Sequence, residues 1–279
     1  MVKAGVHVSI AGSLDFAVDR AMDAGCDVFQ MFSRNPRGWR FKPLTDDDAA
    51  FFRSKIKTTG LLPVDHMPYL PNLASPNPEI FDKSVEALTA ELERCDKLGI
   101  PFLVTHLGHH LGDGIAGGRM RVIKAISAAL GKAGNKVMLL LENTAGERNS
   151  VGSSFEHIRG IMDELAFPGR IGVCFDTCHA FAAGYELRTE EGLNETLAQF
   201  NEQIGIQNLM VIHLNDAKGD RASGLDRHEH IGMGFIGEDG MRGILHHKNL
   251  RELPFICETP VDDRRDDRGN IAKVRELAK

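Results

Sequence analysis

The amino-acid sequence has little of several features that mark specialised classes of protein. No stretch approaches the ~18 consecutive apolar residues that a membrane-spanning helix needs, so we expect no membrane partner. The five cysteines are odd in number and widely spread, which excludes a small disulfide scaffold and favours free thiols. Residues 1–14 lack the apolar segment of a secretory leader, so we expect a protein of the reducing cytoplasm.

Excess positive charge is also absent from this sequence. Lys and Arg number 33 against 39 Asp and Glu, which gives a formal net charge of −6. Because bulk binding to phosphates calls for clustered Lys and Arg, this balance argues against a protein that coats nucleic acid.

The remaining composition is that of an ordinary folded protein. Hydrophobic residues make up 42% and charged residues 26% of the 279 residues, which is enough to form a sizeable core. No Pro-, Gly- or Ser-rich linker is long enough to divide the chain, and the glycine-rich stretch 112–118 is interpreted as a flexible loop. We therefore expect one domain over residues 1–279.

Short β-type runs recur along the whole chain. Their ends are separated by about 24 to 45 residues, which leaves room in each interval for the crossover helix that parallel strands require. Two of those intervals, 82–99 and 119–130, have apolar residues at helical steps of three and four, and Gly99 lies where a C-cap is expected. The runs are 4–9, 27–32, 61–66, 101–106, 136–142, 171–176, 209–214 and 254–258.

Eight β-then-α units in a chain of this length predict an α/β fold, a (β/α)₈ TIM-type barrel. An open, doubly wound sheet of eight strands is the alternative. Several of the runs are almost continuously apolar, which is typical of strands that are buried on both faces.

Most of these runs end in a residue of a type that commonly binds metal ions, and strand one carries His7 near its end. In a barrel the carboxyl ends of the strands meet at one rim, so these side chains are expected to share one basin. Imidazoles mixed with carboxylates suit Zn²⁺ or Mn²⁺ better than Ca²⁺ or Mg²⁺, which prefer oxygen ligands. The residues at the strand ends are His66, His106, Glu142, Asp176, His213 and Glu258.

Two further groups of candidate ligands lie just beyond strands. His179 follows Asp176 by three residues and can reach the same rim if the chain turns there. After strand seven, Asp226 and either His228 or His230 lie at alternating positions, although a D-x-H pattern alone also occurs in solvated loops. A cysteine pair, Cys174 and Cys178, flanks the DT dipeptide, and we interpret both thiols as buried core residues.

The segment IGMGFIG at 231–237 matches a glycine-rich dinucleotide fingerprint. A true fingerprint follows a strand and opens a helix early in a βαβ unit, whereas this one follows the polar D-x-H loop. We interpret it as a turn that needs glycine, and we expect no nucleotide cofactor.

Four stretches of the sequence form a distinctive set: ENTAG at 142–146, DTCHAFAAGYELRT at 176–189, HLNDAK at 213–218 and DRHEHIGMGFIG at 226–237. Taken together, they resemble the endonuclease IV family of zinc-dependent apurinic/apyrimidinic endonucleases. The resemblance extends over nearly the whole chain, from HVSIAGSL at 7–14 through FSRNPRGW at 32–39 to CETP at 257–260.

This resemblance implies a (β/α)₈ barrel that holds three zinc ions at its rim, with Mn²⁺ an option at one position. It selects His228 over His230, and it makes the carboxylates Glu142, Asp176 and Glu258 the expected catalytic residues. The implied ligands are His66 and His106 for the first ion, Glu142 shared between the first and second, Asp176, His213 and Glu258 for the second, and His179, Asp226 and His228 for the third.

The resemblance also implies hydrolysis of duplex DNA 5′ to abasic sites in base-excision repair. An activated water would leave a 3′-hydroxyl and a 5′-deoxyribose phosphate. Arg37 and Tyr69 would wedge into the duplex, and Asn35 and His7 would contact its backbone. On the alternative interpretation Tyr69 packs between neighbouring prolines and Arg37 is a solvated turn residue. We expect the protein to act as a monomer.

Two stretches depart from the family pattern. After strand four the family has His-Pro-Gly-Ser, whereas this chain has Leu107 and His109 in the second and fourth positions. Either imidazole there is a candidate ligand, and His106 is preferred because it ends the strand. At strand three, Asp65 precedes His66 and is predicted to support that ligand from behind.

Two other functions stay open at this point. A xylose-isomerase-like sugar isomerase or epimerase would share the barrel and four of the ligands, Glu142, Asp176, His213 and Glu258. It would lack, as a set, His66 with His106 and the third site. A non-catalytic scaffold that binds DNA or metal would have to retain all nine ligands without turning over substrate.

Overall fold

A computed structural model describes residues 2–279, and its centre is a barrel of eight parallel strands. The barrel strands are β1 Lys3–Val6, β2 Val28–Met31, β3 Leu62–His66, β4 Phe102–Thr105, β5 Met138–Glu142, β6 Ile171–Asp176, β7 Leu209–His213 and β10 Pro254–Cys257. The sheet order is β1-β10-β7-β6-β5-β4-β3-β2. A parallel bridge between His7 and Gln30 joins its two edges, where the Val8 amide donates to the Gln30 carbonyl at 2.8 Å. The predicted barrel is confirmed, and the open sheet is wrong.

The α-helices of the described chain follow the strands along the sequence, as the spacing of the β-type runs predicts. The α-helices are α1 Phe16–Ala24, α2 Asp46–Thr59, α3 Pro78–Leu98, α4 Ile115–Ala133, α5 Phe155–Glu164, α6 Thr177–Ala183, α7 Glu190–Gln203, α8 Gly237–His246 and α9 Asp267–Leu277. A 3₁₀ turn covers Ile206–Asn208. The caps of α3 show why a helix forms at its position: the Asn77 side chain accepts from the Ile80 amide, Pro78 begins the helix, and Gly99 ends it at a φ of 72°.

One loop prediction is partly wrong. The glycine-rich stretch 112–118 is a loop only as far as Gly114, and α4 begins at Ile115. Gly118 is buried there, and a Cβ on it would lie 2.9 Å from His110 Cβ and 3.0 Å from a Val151 methyl carbon. The close approach of these neighbours explains a glycine in the first turns of a helix.

Two apolar layers hold the barrel together. The outward faces of the strands pack against the helices, and the inward faces form a separate cluster inside the barrel. The inward-facing position of strand β1 is Gly5. A larger residue is excluded there, because a Cβ would lie 1.5 Å from the Val28 carbonyl oxygen. The inner cluster consists of Val28, Val64, Val104, Leu140, Cys174, Val211 and Ile256.

The long loop after β7 is held down by a short antiparallel pair, β8 Asp216–Ala217 with β9 His228–Glu229. The carboxylate of Asp216 accepts the amides of Gly234 and Ile236 at 3.0 Å each. A Cβ on Gly234 would lie 2.4 Å from the Ala217 carbonyl oxygen. The glycine-rich segment is therefore a turn that leads into α8, as interpreted from its sequence.

All five cysteines are free thiols and all are buried; burial was predicted for Cys174 and Cys178. In residues 2–279, no helix has the length and apolar character that crossing a bilayer requires.

Candidate metal centre

The carboxyl ends of the strands bring the predicted ligands to one rim of the barrel. Four groups of His, Cys, Asp or Glu side chains have ligand atoms within 4.8 Å of one another in residues 2–279. Three of them contain all nine predicted ligands: His66, His106 and Glu142; Glu142, Asp176, His213 and Glu258; and His179, Asp226 and His228. The fourth, Asp176 with Cys178 and His228, overlaps the others, and burial raises the pKa of its thiol far above the ordinary value.

Glu142 is the common member of the first two groups. Its carboxylate is fully buried, and its two oxygens face different partners. Oε2 lies 3.2 Å from His66 Nε2 and 3.0 Å from His106 Nε2, whereas Oε1 lies 3.1 Å from His213 Nδ1. Burial alone would raise the pKa of Glu142, but His106 and His213 hold that pKa well below its usual range. The ionised carboxylate therefore has the geometry of a ligand shared between two sites.

The third group contains two buried nitrogens that no hydrogen bond satisfies. His179 Nε2 and His228 Nε2 have no hydrogen-bond partner in the described chain. They lie 3.2 Å and 3.7 Å from Oδ1 of the half-buried Asp226. Leaving such atoms unpaired in the interior is costly, and a divalent cation would satisfy both nitrogens together with the carboxylate. This donor set fits a zinc-type ion.

Carboxylates also determine the protonation of the imidazoles in this basin. Burial would lower the pKa of His179, but the carboxylates of Asp176, Asp226 and Glu142 raise it well above the ordinary value. Burial would also lower the pKa of His213, but the Cys174 sulfur and the carboxylates of Glu258 and Glu142 raise it well above its ordinary value. Without metal ions His179 and His213 therefore tend to retain the protons that offset the neighbouring carboxylates, and bound cations would take over that role.

Three amide side chains that the sequence analysis missed orient the predicted ligands. Gln30 donates to Glu258 Oε1 at 2.7 Å, and its Oε1 lies 2.8 Å from His213 Nε2. Asn215 donates to Asp176 Oδ2 at 2.7 Å, and its own oxygen accepts the Glu258 amide at 2.8 Å. These bonds hold the two carboxylates so that Oε2 of Glu258 lies 3.2 Å and Oδ2 of Asp176 lies 3.8 Å from His213 Nδ1.

Asn143 is the third of these amides. Its side-chain oxygen accepts the Asp176 amide at 2.8 Å, and its backbone carbonyl oxygen lies 3.0 Å from His179 Nδ1. That contact leaves His179 Nε2 to face the third group. A buried glutamine inside the apolar strand β2 and an asparagine soon after each of two ligand-bearing strands were the available signals.

The structure distinguishes between the alternative imidazoles that the sequence offered as candidate ligands at two positions. His228 belongs to the third group, whereas the buried His230 lies 3.0 Å from both Asp262 Oδ1 and Asn270 Nδ2. His106 faces Glu142, whereas His109 lies 3.6 Å from the Glu147 carboxylate.

The predicted support of His66 by Asp65 is wrong. Adjacent strand residues point to opposite faces, and Asp65 points toward α3, where it accepts from the Cys95 thiol at 3.3 Å. His66 Nδ1 lies instead 2.7 Å from the carbonyl oxygen of Met67. Burial, aided by the Glu91 carboxylate, raises the pKa of Asp65 well above its ordinary value.

The four residues predicted to contact DNA lie at or beside the basin. His7 lines it, with Nδ1 3.0 Å from Gln30 Nε2 and 3.6 Å from Glu258 Oε1. Tyr69 also lines it and is 69% exposed, and its ring lies 5.0 Å from that of Phe32. Asn35 and Arg37 are exposed on the segment after β2. Tyr69 thus packs on an aromatic ring of the basin.

Comparison with known proteins agrees with this arrangement. Residues 18–279 match the family described as xylose isomerase-like TIM barrel. The chain is 61% identical to "Probable endonuclease 4" of Methanoculleus marisnigri and 63% identical to that of Methanosphaerula palustris, in each case over 100% of this chain and 99% of the relative. The crystal structure of endonuclease IV from Thermus thermophilus superposes with a TM-score of 0.88 at 34% identity, covering 99% of this chain and 98% of that one. The chain belongs to the endonuclease IV family.

Proposed function

We propose that this protein is a DNA-repair endonuclease that hydrolyses the phosphodiester bond 5′ to abasic sites in duplex DNA. The products would be a 3′-hydroxyl and a 5′-deoxyribose phosphate. One observation supports the proposal: nine candidate ligand side chains form three adjoining groups at the barrel rim, and Glu142 is a member of two of them. A sugar isomerase needs only the second group, so the first and third favour the nuclease.

The donor set of each group suits zinc, with Mn²⁺ an option at one position. His66 and His106 would hold the first ion, Glu142 the first and second, and Asp176, His213 and Glu258 would complete the second. His179, Asp226 and His228 would hold the third. When bound, such ions supply Lewis-acid stabilisation of a phosphodiester and activate water for its hydrolysis.

The chain itself would orient these donors and exclude competing ones. Gln30 bonds Oε1 of Glu258 and leaves Oε2 to face the basin, 3.2 Å from His213 Nδ1. Asn215 holds Oδ2 of Asp176, the oxygen that lies 3.6 Å from His228 Nε2, while Oδ1 accepts the His179 amide. Since Cys174 and Cys178 are buried thiols with raised pKa values, neither is proposed as a nucleophile. The reaction needs no covalent intermediate on the protein.

The local charge supports recognition of one phosphate and not of bulk DNA. Four ligand carboxylates with neutral imidazoles carry four negative charges, and three divalent ions would leave a local excess of two positive charges. All nine ligands come from one chain, which supports a monomer, and five free thiols support a cytoplasmic protein.

A nicking assay tests the proposed function directly. We expect the purified protein to nick a duplex that contains one abasic site, on the 5′ side of that site, and to leave the intact duplex uncut. A strong chelator should abolish nicking, and added Zn²⁺ should restore it. Epimerisation of a ketose without nicking would overturn the proposal in favour of the sugar enzyme.

Tyr69 and Arg37 are proposed to enter the duplex beside the flipped abasic nucleotide, while Asn35 and His7 contact its backbone. We expect Tyr69→Ala and Arg37→Ala each to weaken affinity for the abasic duplex about tenfold, because stacking on a base contributes ~1–3 kcal/mol. Binding would be measured by fluorescence anisotropy in the presence of chelator.

Matched controls for these two variants come from outside the basin. Tyr185 packs on Phe155 at 4.2 Å between ring centroids, and Arg159 pairs with Asp163 on α5. Tyr185→Phe and Arg159→Ala should leave affinity unchanged. If Tyr69→Ala and Arg37→Ala also leave it unchanged, the wedge is wrong, Tyr69 is a packing residue and Arg37 is a solvated turn residue.

A further inference from the structure

The segment of residues 33–44, between β2 and α2, starts at the metal basin. Phe32 precedes it, and the Phe32 ring centroid lies 4.4 Å from that of His7 and 5.0 Å from that of Tyr69. The exposed tip of the segment, residues 35–38, carries Arg37. Within the tip the Arg37 amide donates to the Asn35 side-chain oxygen at 3.1 Å, which forms a tight local turn.

Helix α3 binds this segment through charged side chains spaced three residues apart. Glu91 accepts from the Ser33 hydroxyl at 2.6 Å and forms a hydrogen-bonded ion pair with the Arg34 guanidinium. Arg94 donates to the same Ser33 hydroxyl at 2.8 Å. Lys97, one turn further along the helix, donates to the Leu44 carbonyl at 2.7 Å.

The same network reaches the far side of the tip. Arg34 donates to the Trp39 carbonyl at 3.3 Å, and Arg94 donates to the Lys42 carbonyl at 3.5 Å. The Arg34 guanidinium also lies 4.3 Å above the centre of the Phe41 ring. The network therefore holds the chain before and after the tip and leaves the tip itself free to meet a ligand.

The charged side chains of this network are buried, which carries a free-energy cost. Glu91 is 0% exposed, Arg34 is 5% exposed and Arg94 is 8% exposed. Removing charges from water costs free energy that apolar packing would avoid, so such a network adds little net stability. The network instead fixes the orientation of the segment, because a guanidinium and a carboxylate form hydrogen bonds in only a few geometries.

We infer that Glu91 is a positioning residue for DNA recognition. Through Ser33, Arg34 and Arg94 it holds the segment 33–44 so that Arg37 faces the duplex at the basin. Glu91 touches neither substrate nor metal ligands. The inference rests on the proposed function, since it names the element that aligns the DNA-binding tip of that same site.

Steady-state kinetics on the abasic duplex test the inference, with Glu91→Gln as the main variant. Glutamine retains the shape of Glu91 and removes its charge. We expect KM to rise about tenfold or more, because a buried charge-assisted hydrogen bond is lost, and kcat to stay within about twofold. Hydrolysis of bis(4-nitrophenyl) phosphate, which is too small to touch the segment, should be unchanged. Hydrogen exchange of peptides within 33–44 should be faster.

Thr89→Val is the matched control, because Thr89 is buried on the same helix and its hydroxyl donates only within that helix, to the Val85 carbonyl at 2.8 Å. Its KM should equal that of the wild type. Ser33→Ala removes the hydroxyl that links Glu91 with Arg94, and so two hydrogen bonds, without removing a charge. This variant tests the inference if Glu91→Gln fails to fold. It should raise KM in the same direction by a smaller factor.

Two results would overturn the inference while the proposed function stands. One is an active wild type with unchanged KM in Glu91→Gln and Ser33→Ala. The other is an equal loss on the duplex and on bis(4-nitrophenyl) phosphate, which would indicate damage to the metal basin. A wild type that does not nick the abasic duplex at all would overturn the proposed function and this inference together.

Discussion

Replacing Glu142 with glutamine is expected to lower kcat for cleavage of an abasic duplex by about a thousandfold or more. Loss of a shared metal ligand removes several kcal/mol of transition-state stabilisation, and each ~1.4 kcal/mol corresponds to a factor of ten in rate. The substitution retains the shape of the side chain but removes the charge that four imidazoles surround. Those imidazoles are His66, His106, His179 and His213.

The measurement is a single-turnover nicking rate combined with metal analysis of the same preparation. We expect Glu142→Gln to bind fewer divalent ions per chain than the wild type. Glu164→Gln is the control, because Glu164 lies on α5 and pairs with Arg119 at 3.0 Å, outside the basin. Near-wild-type nicking by Glu142→Gln with all ions retained would show that this carboxylate is not the shared ligand.

The barrel was predictable because two independent periodicities agreed. Apolar runs recurred at a spacing that admits one crossover helix, and the intervening segments had helical steps. The clustering of the candidate ligands was predictable for a topological reason: parallel strands in a barrel end at one rim, so polar residues at strand ends such as Glu142 and His213 come together. The grouping into three sites, by contrast, was available only from the resemblance to a family.

The supporting amides were overlooked, because an amide carries no charge or periodicity and its position beside a strand end is only a weak signal. Gln30 lies in an apolar strand, and Asn215 follows a ligand-bearing strand by two residues, yet each bonds residues far away in sequence. Asp65 was misassigned because its neighbour His66 is a candidate ligand, although alternation places the two on opposite faces of β3.

The network around Glu91 escaped sequence analysis for a similar reason. The bonds that join Ser33 and Arg34 to the middle of α3 link residues 57 or more positions apart. In the sequence, Glu91 and Arg94 look like the ordinary charged face of a helix. Only the packing of α3 against the segment after β2 makes them buried.

Adding divalent metal ions to the metal-free protein is expected to raise its free energy of unfolding strongly, and by more at pH 8 than at pH 6. A site held a thousandfold above its Kd contributes about 4 kcal/mol. For a chain of this length 1 kcal/mol corresponds to roughly 2 °C, so three sites should raise Tm by on the order of 20 °C at pH 8. Differential scanning fluorimetry of chelator-treated protein, with and without added Zn²⁺, measures the shift.

The direction of the pH effect follows from the pKa shifts in the basin. The pKa values of His179 and His213 are raised in the folded protein, so the stability they give the metal-free state is full below about pH 6.5 and is lost as pH rises through the raised values. The pKa of Asp226 is lowered to about 2, so its contribution is full above about pH 4 and is lost only as pH falls toward 2. Between pH 6 and 8 only the imidazoles change.

Metal ions bind the neutral imidazole, so protons compete with them below the raised pKa values. Each pH unit below such a pKa weakens binding by about tenfold per protonated ligand, so the gain in Tm on adding Zn²⁺ must shrink toward pH 6. His179→Gln should reduce both the gain and its pH dependence, whereas His246→Gln, on the exposed side of α8, should change neither. An equal gain at both pH values would mean that imidazoles do not hold the ions, and the proposed ligand sets would then be wrong.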